Sequence, residues 1–228
     1  MAGKKPFKKQ LKEPDQFITY STKLINLFNK YRLQFASAVL VLVVAISGGA
    51  LINYFAQKSE DKASLLLEKQ MAQYQKALKT DKDLKKAFKS VNKDFTQLID
   101  TYGNRQGGKL ARILFGNICY DAGETDQAIL FYNQALNDFK DNLSILNAIY
   151  NGLGYAYEQK QDFANSVKYF ELIAQGSNTL FKQGAFLNLG RIYAVTGEAD
   201  KSRQAYQKVI SEYPESRYIE FVKEIISG

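Results

Sequence analysis

FGNICYDAGETDQAILFYNQAL from Phe115 to Leu136, LGYAYEQKQDFANSVKYFELIA from Leu153 to Ala174, and LGRIYAVTGEADKSRQAYQKVI from Leu189 to Ile210 align with one another without a gap. Their leading glycines, Gly116, Gly154 and Gly190, are 38 and 36 residues apart. A period between about twenty and fifty residues marks stacked supersecondary units that share one continuous core. Each copy has one chemistry at each aligned position. Small residues stand where two helices cross, at these glycines on the first helix and at Ala128, Ser166 and Ser202 on the second. Large residues follow at Phe115, Leu153 and Leu189, at Cys119, Tyr157 and Tyr193, at Tyr132, Phe170 and Tyr206, and at Leu136 and Ile210. Helix axes about 8 Å apart need this alternation of small against large. Gly123 and Gly197 supply the turn between helices in the first and third copies, where the second has Gln161.

These stretches resemble tetratricopeptide repeats, helix-turn-helix units of 34 residues. The third copy ends in Tyr213 and Pro214, the helix-stopping proline of that motif, which the first two lack. The pattern extends backward, because DFTQLIDTYG from Asp94 matches AYQKVISEYP from Ala205 and so forms a degenerate half repeat. Forward of the third copy, Tyr218, Phe221, Val222, Ile225 and Ile226 predict an amphipathic helix that closes the end of the stack. The fold expected is all-α: a single N-terminal transmembrane helix, then an α-solenoid of about 3.5 tetratricopeptide helix pairs over residues 84–228 with a C-terminal capping helix.

The resemblance also implies a binding face. Tetratricopeptide motifs turn the first helix of each pair toward a concave groove, whose outward positions here are Asn117, Tyr120, Asp121, Asn151, Tyr155, Glu158, Leu187 and Arg191. Such a mixed polar and aromatic groove suits an extended or helical peptide. Asn117, Tyr120, Asn151, Tyr155 and Arg191 are not expected to be needed for helix packing, since the other aligned positions already perform it. Some relatives of this fold grip a peptide C-terminus with a Lys/Asn/Arg clamp, but Ile113 and Gly184 occupy two of the clamp positions.

Ahead of the repeats lies an apolar stretch, Leu33 to Gln57, without one charged side chain and bracketed by Arg32 and Lys58. Its centre, Leu33 to Phe55, would extend roughly 34 Å as a helix, enough to cross a hydrocarbon layer of about 30 Å. Residues 1–32 carry eight Lys/Arg and two acids, so most of the net charge of +8 sits before the apolar stretch. A short flank rich in Lys and Arg stays in the cytoplasm, which predicts the N-terminus inside and residues 58–228 outside. Charge on such a flank points to anionic lipid headgroups rather than nucleic acid. Residues 1–12 are too basic and too poor in apolar side chains to pack. Phe17, Tyr20, Leu24, Leu27 and Tyr31 then predict a short amphipathic helix at the inner interface. Ala45 and Gly49 have the small-xxx-small spacing that lets membrane helices approach. After Lys58, the stripe Ala63, Leu66, Leu67, Gln70, Tyr74, Leu78 reads as a helical stalk over residues 58–83.

This order of basic tail, span, stalk and repeats resembles YfgM-like bacterial inner-membrane proteins. The resemblance implies a periplasmic repeat domain with a chaperone or adaptor role, its protein partners being Sec translocon components or exported polypeptides. The other reading is a structural scaffold of an envelope complex, joined through its span or stalk with no client binding. Oligomeric state is open. Catalysis is not expected. The chain has no histidine, which removes the commonest general base and zinc ligand. Its one cysteine, Cys119, falls on a helix-packing position, where burial is expected. Gly107 and Gly108 lack the Gly-Lys-Ser/Thr that completes a phosphate loop and fall between two helical patterns. Glu124, Asp126, Asp162 and Glu198 stand at turns, where capping and the helix dipole account for them. No cofactor or metal is expected.

Overall fold

The computed structural model describes residues 16–177 and 179–227, with side chains from Tyr20 onward apart from Thr179 and Leu180. The expected basic tail of residues 1–12 lies outside them. All the regular structure described is helical: α1 (Gln16–Lys30), α2 (Arg32–Asp81), α3 (Leu84–Tyr102), α4 (Gln106–Asp121), α5 (Thr125–Asp138), α6 (Leu143–Gln159), α7 (Phe163–Gln175), α8 (Thr179–Val195), α9 (Ala199–Glu212) and α10 (Ile219–Ser227). The chain divides into two units, Met1–Gln57 and Lys58–Gly228.

In the first unit, α1 and the start of α2 present bare apolar surface. Leu24, Ile25, Leu27 and Phe28 on α1, and Val39 to Val44 on α2, are all at least half exposed to within a few per cent. The last turn of α1 meets the first turn of α2 through the stacked rings of Phe28 and Phe35, 5.4 Å apart. A helix uniformly apolar over five turns and uncovered by protein is long enough to cross a membrane.

In the second unit, the chain runs up and down in helix pairs. Three of them, α4/α5, α6/α7 and α8/α9, are the three aligned stretches, and each packs mainly on the pair before and after it in sequence. The aligned register is visible in the backbone: the N–H groups of Glu124, Asp162 and Glu198 donate to the carbonyls of Cys119, Tyr157 and Tyr193 at 2.8, 2.9 and 2.8 Å. The chain reverses just before these bonds through left-handed residues, Gly123 and Gly197 at φ 81° and Gln161 at φ 61°. Glycine takes that conformation freely, whereas a glutamine there is strained by its Cβ.

Each crossing seats its glycine under an aromatic ring of the second helix. A Cβ on Gly116 would stand 2.8 Å from Tyr132, one on Gly154 2.7 Å from Phe170, and one on Gly190 2.6 Å from Tyr206. Ser166 and Ser202 bind across the same crossings, their hydroxyls donating to the carbonyls of Gly154 and Gly190 at 2.7 Å. Tyr132 is gripped from both sides, since a Cβ on Gly152 of the following pair would also meet its ring at 2.6 Å. Ahead of these crossings, Phe115 sits among Phe95, Phe131 and Phe88 with ring centres 4.9, 5.0 and 5.9 Å away. Each such ring contributes roughly 1.5–3 kcal/mol by leaving water.

The segment expected to be a stalk is part of this core. Ala63, Leu67 and Tyr74 of α2 are buried with Ala87, Phe88, Val91 and Phe95 of α3 in the largest hydrophobic cluster, with Gln70 buried beside them, so the outer half of α2 packs as a helix of the second unit. Gly107 and Gly108, expected between helices, open α4 instead. A Cβ on Gly107 would lie 2.8 Å from the α2 backbone at Ala63, which explains a glycine there. The freed N–H groups of Gln106 and Gly107 donate to the two carboxylate oxygens of Glu60 at 2.9 Å each, a cap supplied by a helix 46 residues earlier. Among the four carboxylates expected to cap helices, only Asp162 does so with its side chain, accepting from the Asn165 N–H. Asp126 pairs with Lys160 and Glu198 with Lys201.

The capping helix also departs from expectation. Val222 is buried, and Ile219 and Ile226 pack with it against Tyr206 and Val209. Tyr218, Phe221 and Ile225 face outward, 37, 57 and 40% exposed.

A candidate protein-binding face

The face is built by the first helices of the pairs. α4 touches α6 and α6 touches α8, while α5, α7 and α9 make no such contact with one another among the described residues. Helices that touch on one side and splay on the other bend the stack toward the touching side, so α4, α6 and α8 line the inside of the curve.

Four of the expected residues meet there. The rings of Tyr120 on α4 and Tyr155 on α6 approach with centres 6.4 Å apart. Tyr155 also stands edge-on to Phe170 at 5.3 Å. The next step along the face is an ion pair, with the Arg191 guanidinium on α8 donating through both terminal nitrogens to the Glu158 carboxylate on α6. Asn188, only 7% exposed, joins the two layers: its amide donates to the Tyr155 hydroxyl at 2.9 Å and its oxygen accepts from Arg191 at 3.2 Å. The sequence pattern did not single out Asn188, although a polar residue three before Arg191 on the same helix face was the available signal.

The electrostatics follow from this crowding. Glu158 holds the Arg191 proton more firmly than usual through their hydrogen bond. Desolvation raises the Tyr120 hydroxyl, and the Glu158 charge adds to it. Asp121 is exposed in surface area, yet the surrounding protein strips enough water from its carboxylate to raise its pKa. Tyr74 of α2 feels the Asp121 charge after the larger effect of its own burial, which brings the outer half of α2 to the same end of the face.

The remaining expected residues divide. Asn151 lies half-buried on α6. Asn117 is committed to packing, its side-chain oxygen accepting from the Tyr132 hydroxyl at 2.6 Å. Leu187 packs on the cluster of Tyr206, Val209 and Val222. Of the five residues expected to have no packing duty, Asn117 is committed to Tyr132, Tyr155 and Arg191 bind α6 to α8 through Asn188 and Glu158, and Tyr120 packs against the main core cluster. Asp121 is exposed, and Tyr120 and Asn151 each keep part of their surface in solvent.

Cys119 is fully buried, and burial pushes its thiol up to about 12, the nearby Glu124 charge adding to the effect. Its sulfur lies 4.0 Å from the Gln127 side-chain oxygen. A thiol held neutral in the core is unsuited to nucleophilic chemistry. Among the described residues, no three acidic or cysteine side chains converge as a metal site.

Sequential stacking of helical hairpins with glycine–aromatic crossings defines an α-solenoid. Comparison with known families makes the class specific: models described as tetratricopeptide repeat match residues 148–174 and 185–216, which fall on α6/α7 and α8/α9. The matches support a protein of the tetratricopeptide-repeat superfamily, whose domains typically bind other proteins. No curated protein matches the chain.

Proposed function

We propose that the chain is a single-pass, membrane-anchored interaction protein that holds polypeptide segments on the inner face of its repeats. The observation that carries the reading is the Tyr120/Tyr155 pair flanked by Asp121 and Asn151: apolar area with polar tips, on a face whose backbone is rigidly held by the Glu158–Arg191 and Asn188 bridges. Tyrosine supplies contact area at little conformational cost, and a free amide pairs with peptide backbone. The uncovered apolar helix of α2, which opens on Arg32 and follows the amphipathic α1 with Lys23 and Lys30, supports anchoring in an inner membrane with the N-terminus cytoplasmic and the repeats periplasmic. The layout supports a place near the Sec translocon, with exported chains or translocon subunits as partners. The scaffold reading loses the stalk as a contact surface, because its apolar stripe is spent on α3 and α4.

The test is binding of an unfolded model protein to the wild type, to Tyr120→Ala/Asn151→Ala, and to Lys168→Ala/Lys208→Ala on the outer helices. Loss of affinity confined to the first variant, with unchanged melting, is expected. Equal affinity in all three removes the holding role and leaves contact through the span. A reporter active only outside the cytoplasm, fused after Gly228, is expected to be active; inactivity reverses the orientation.

A further inference from the structure

A water-exposed helix face is normally polar, because an apolar one invites association. α10 departs from this. One side of it is sealed onto α9 by Val222, Ile219 and Ile226, and the other leaves Phe221 and Ile225 exposed, with Tyr218 in the turn just before the helix extending the stripe at spacing i, i+3, i+7. Among the described residues, none of the three joins the cluster that Val222 forms with α9, and the contact made on the stripe is that of Arg217 with Tyr218.

The charges beside it indicate what does. Arg217, exposed in the turn before α10, stands at the start of the stripe, and Glu224, exposed on α10, stands near its end, four residues before and three after Phe221. Arg217 lies over the Tyr218 ring at 4.9 Å and donates to its hydroxyl at 2.7 Å. The Glu224 carboxylate has no ion-pair or hydrogen-bond partner among the described residues. The other pair on the helix, Lys223 with Glu220, lies on the polar side and is already satisfied at 2.9 Å. A cation at one end and a free carboxylate at the other make the edge complementary to its own reverse.

We propose that the α10 stripe is a two-fold contact with a second copy of this chain, the two helices antiparallel about an axis beside Phe221. In that arrangement Tyr218 of each copy covers Ile225 of the other, the two Phe221 rings meet at the axis, and each Arg217 reaches the other copy's Glu224. A two-fold axis uses the charge pair twice, as an isologous interface requires; a parallel pairing sets like charges together. A helix this short gives a small interface, so the affinity is modest in solution, and tethering both copies to one membrane raises their effective concentration.

The test is sedimentation velocity of the full chain in mild detergent over a wide concentration range. Reversible dimerisation is expected; Phe221→Glu, Arg217→Glu and Glu224→Arg each weaken it roughly tenfold or more, about 1.4 kcal/mol. The charge-reversed double variant Arg217→Glu/Glu224→Arg restores it, which association through the apolar helix of α2 does not reproduce. A monomer at every concentration, a dimer indifferent to Phe221→Glu, or a double variant no better than the singles overturns the proposal. Should Phe221→Glu perturb folding, Phe221→Cys in a Cys119→Ala background reads the same geometry: rapid formation of an intermolecular disulfide supports the two-fold contact, and its absence under oxidation overturns it.

Discussion

Replacing Gly154 by alanine adds a single methyl group to α6, and the neighbours of that group set the result. The new Cβ would stand 2.7, 2.8 and 2.9 Å from three atoms of the Phe170 ring, below any ordinary carbon–carbon contact. Phe170 has no surface exposure, and Tyr155 stands edge-on to it at 5.3 Å, so the ring has nowhere to retreat. The crossing must widen, which also stretches the 2.7 Å bond from Ser166 to the Gly154 carbonyl. Overpacking of this kind costs about 1–3 kcal/mol. Against it stands the gain of removing a glycine from a helix interior, about 0.5–1 kcal/mol. The net expectation is a loss of about 1–2 kcal/mol, and in a domain of this size each kcal/mol moves the midpoint by about 2–4 °C. Gly184→Ala provides the control with the opposite sign. Gly184 is inside α8, exposed, with nothing within 4 Å of a Cβ, so alanine there keeps the helix gain and meets no clash. Urea and thermal unfolding of residues 58–228, followed by helical circular dichroism, measures both. A double-mutant cycle with Phe170→Leu localises the effect, since a smaller side chain at 170 should reduce the penalty of Gly154→Ala. Equal or higher stability of Gly154→Ala, or no coupling to position 170, would refute the crossing geometry.

Gln161→Gly relieves the left-handed turn at φ 61° and is expected to raise stability by about 0.5–1 kcal/mol, whereas Gly123→Gln introduces the same strain and lowers it; chemical denaturation of the pair measures both signs. Glu60→Ala removes the carboxylate that takes both the Gln106 and Gly107 N–H groups and is expected to cost about 1–2 kcal/mol, with hydrogen exchange at the start of α4 accelerating first. Cys119 ionises near 12 when folded against an ordinary value of 9.0, so above pH 9 the unfolded chain gives up its proton first and stability falls as pH rises toward 12; Cys119→Ala is expected to flatten that fall. For the same reason thiol reagents at neutral pH should label the native chain only as fast as it unfolds.

What the sequence determined by itself is whatever the helical period and the repeat impose locally. Glycine against aromatic at three crossings, a left-handed turn after each first helix, and an apolar segment long enough to span a membrane all follow from residues close in sequence or copied at a fixed interval. These features could be read because each copy corroborates the others. The tertiary structure alone decided the pairings that occur once. Glu60 finds Gln106 and Gly107 across 46 residues, Gly152 closes the second side of Tyr132, and the outer half of α2 turns from stalk into core because α3 and α4 offer it a face. The binding face shows the same division. The repeat register put Tyr120, Tyr155, Glu158 and Arg191 on one side, but whether each side chain meets solvent or its neighbour depends on the spacing between successive pairs. That spacing brings α6 and α8 close enough for Glu158 and Asn188 to engage Arg191 and Tyr155, and leaves Tyr120, Asp121 and Asn151 outside those bridges.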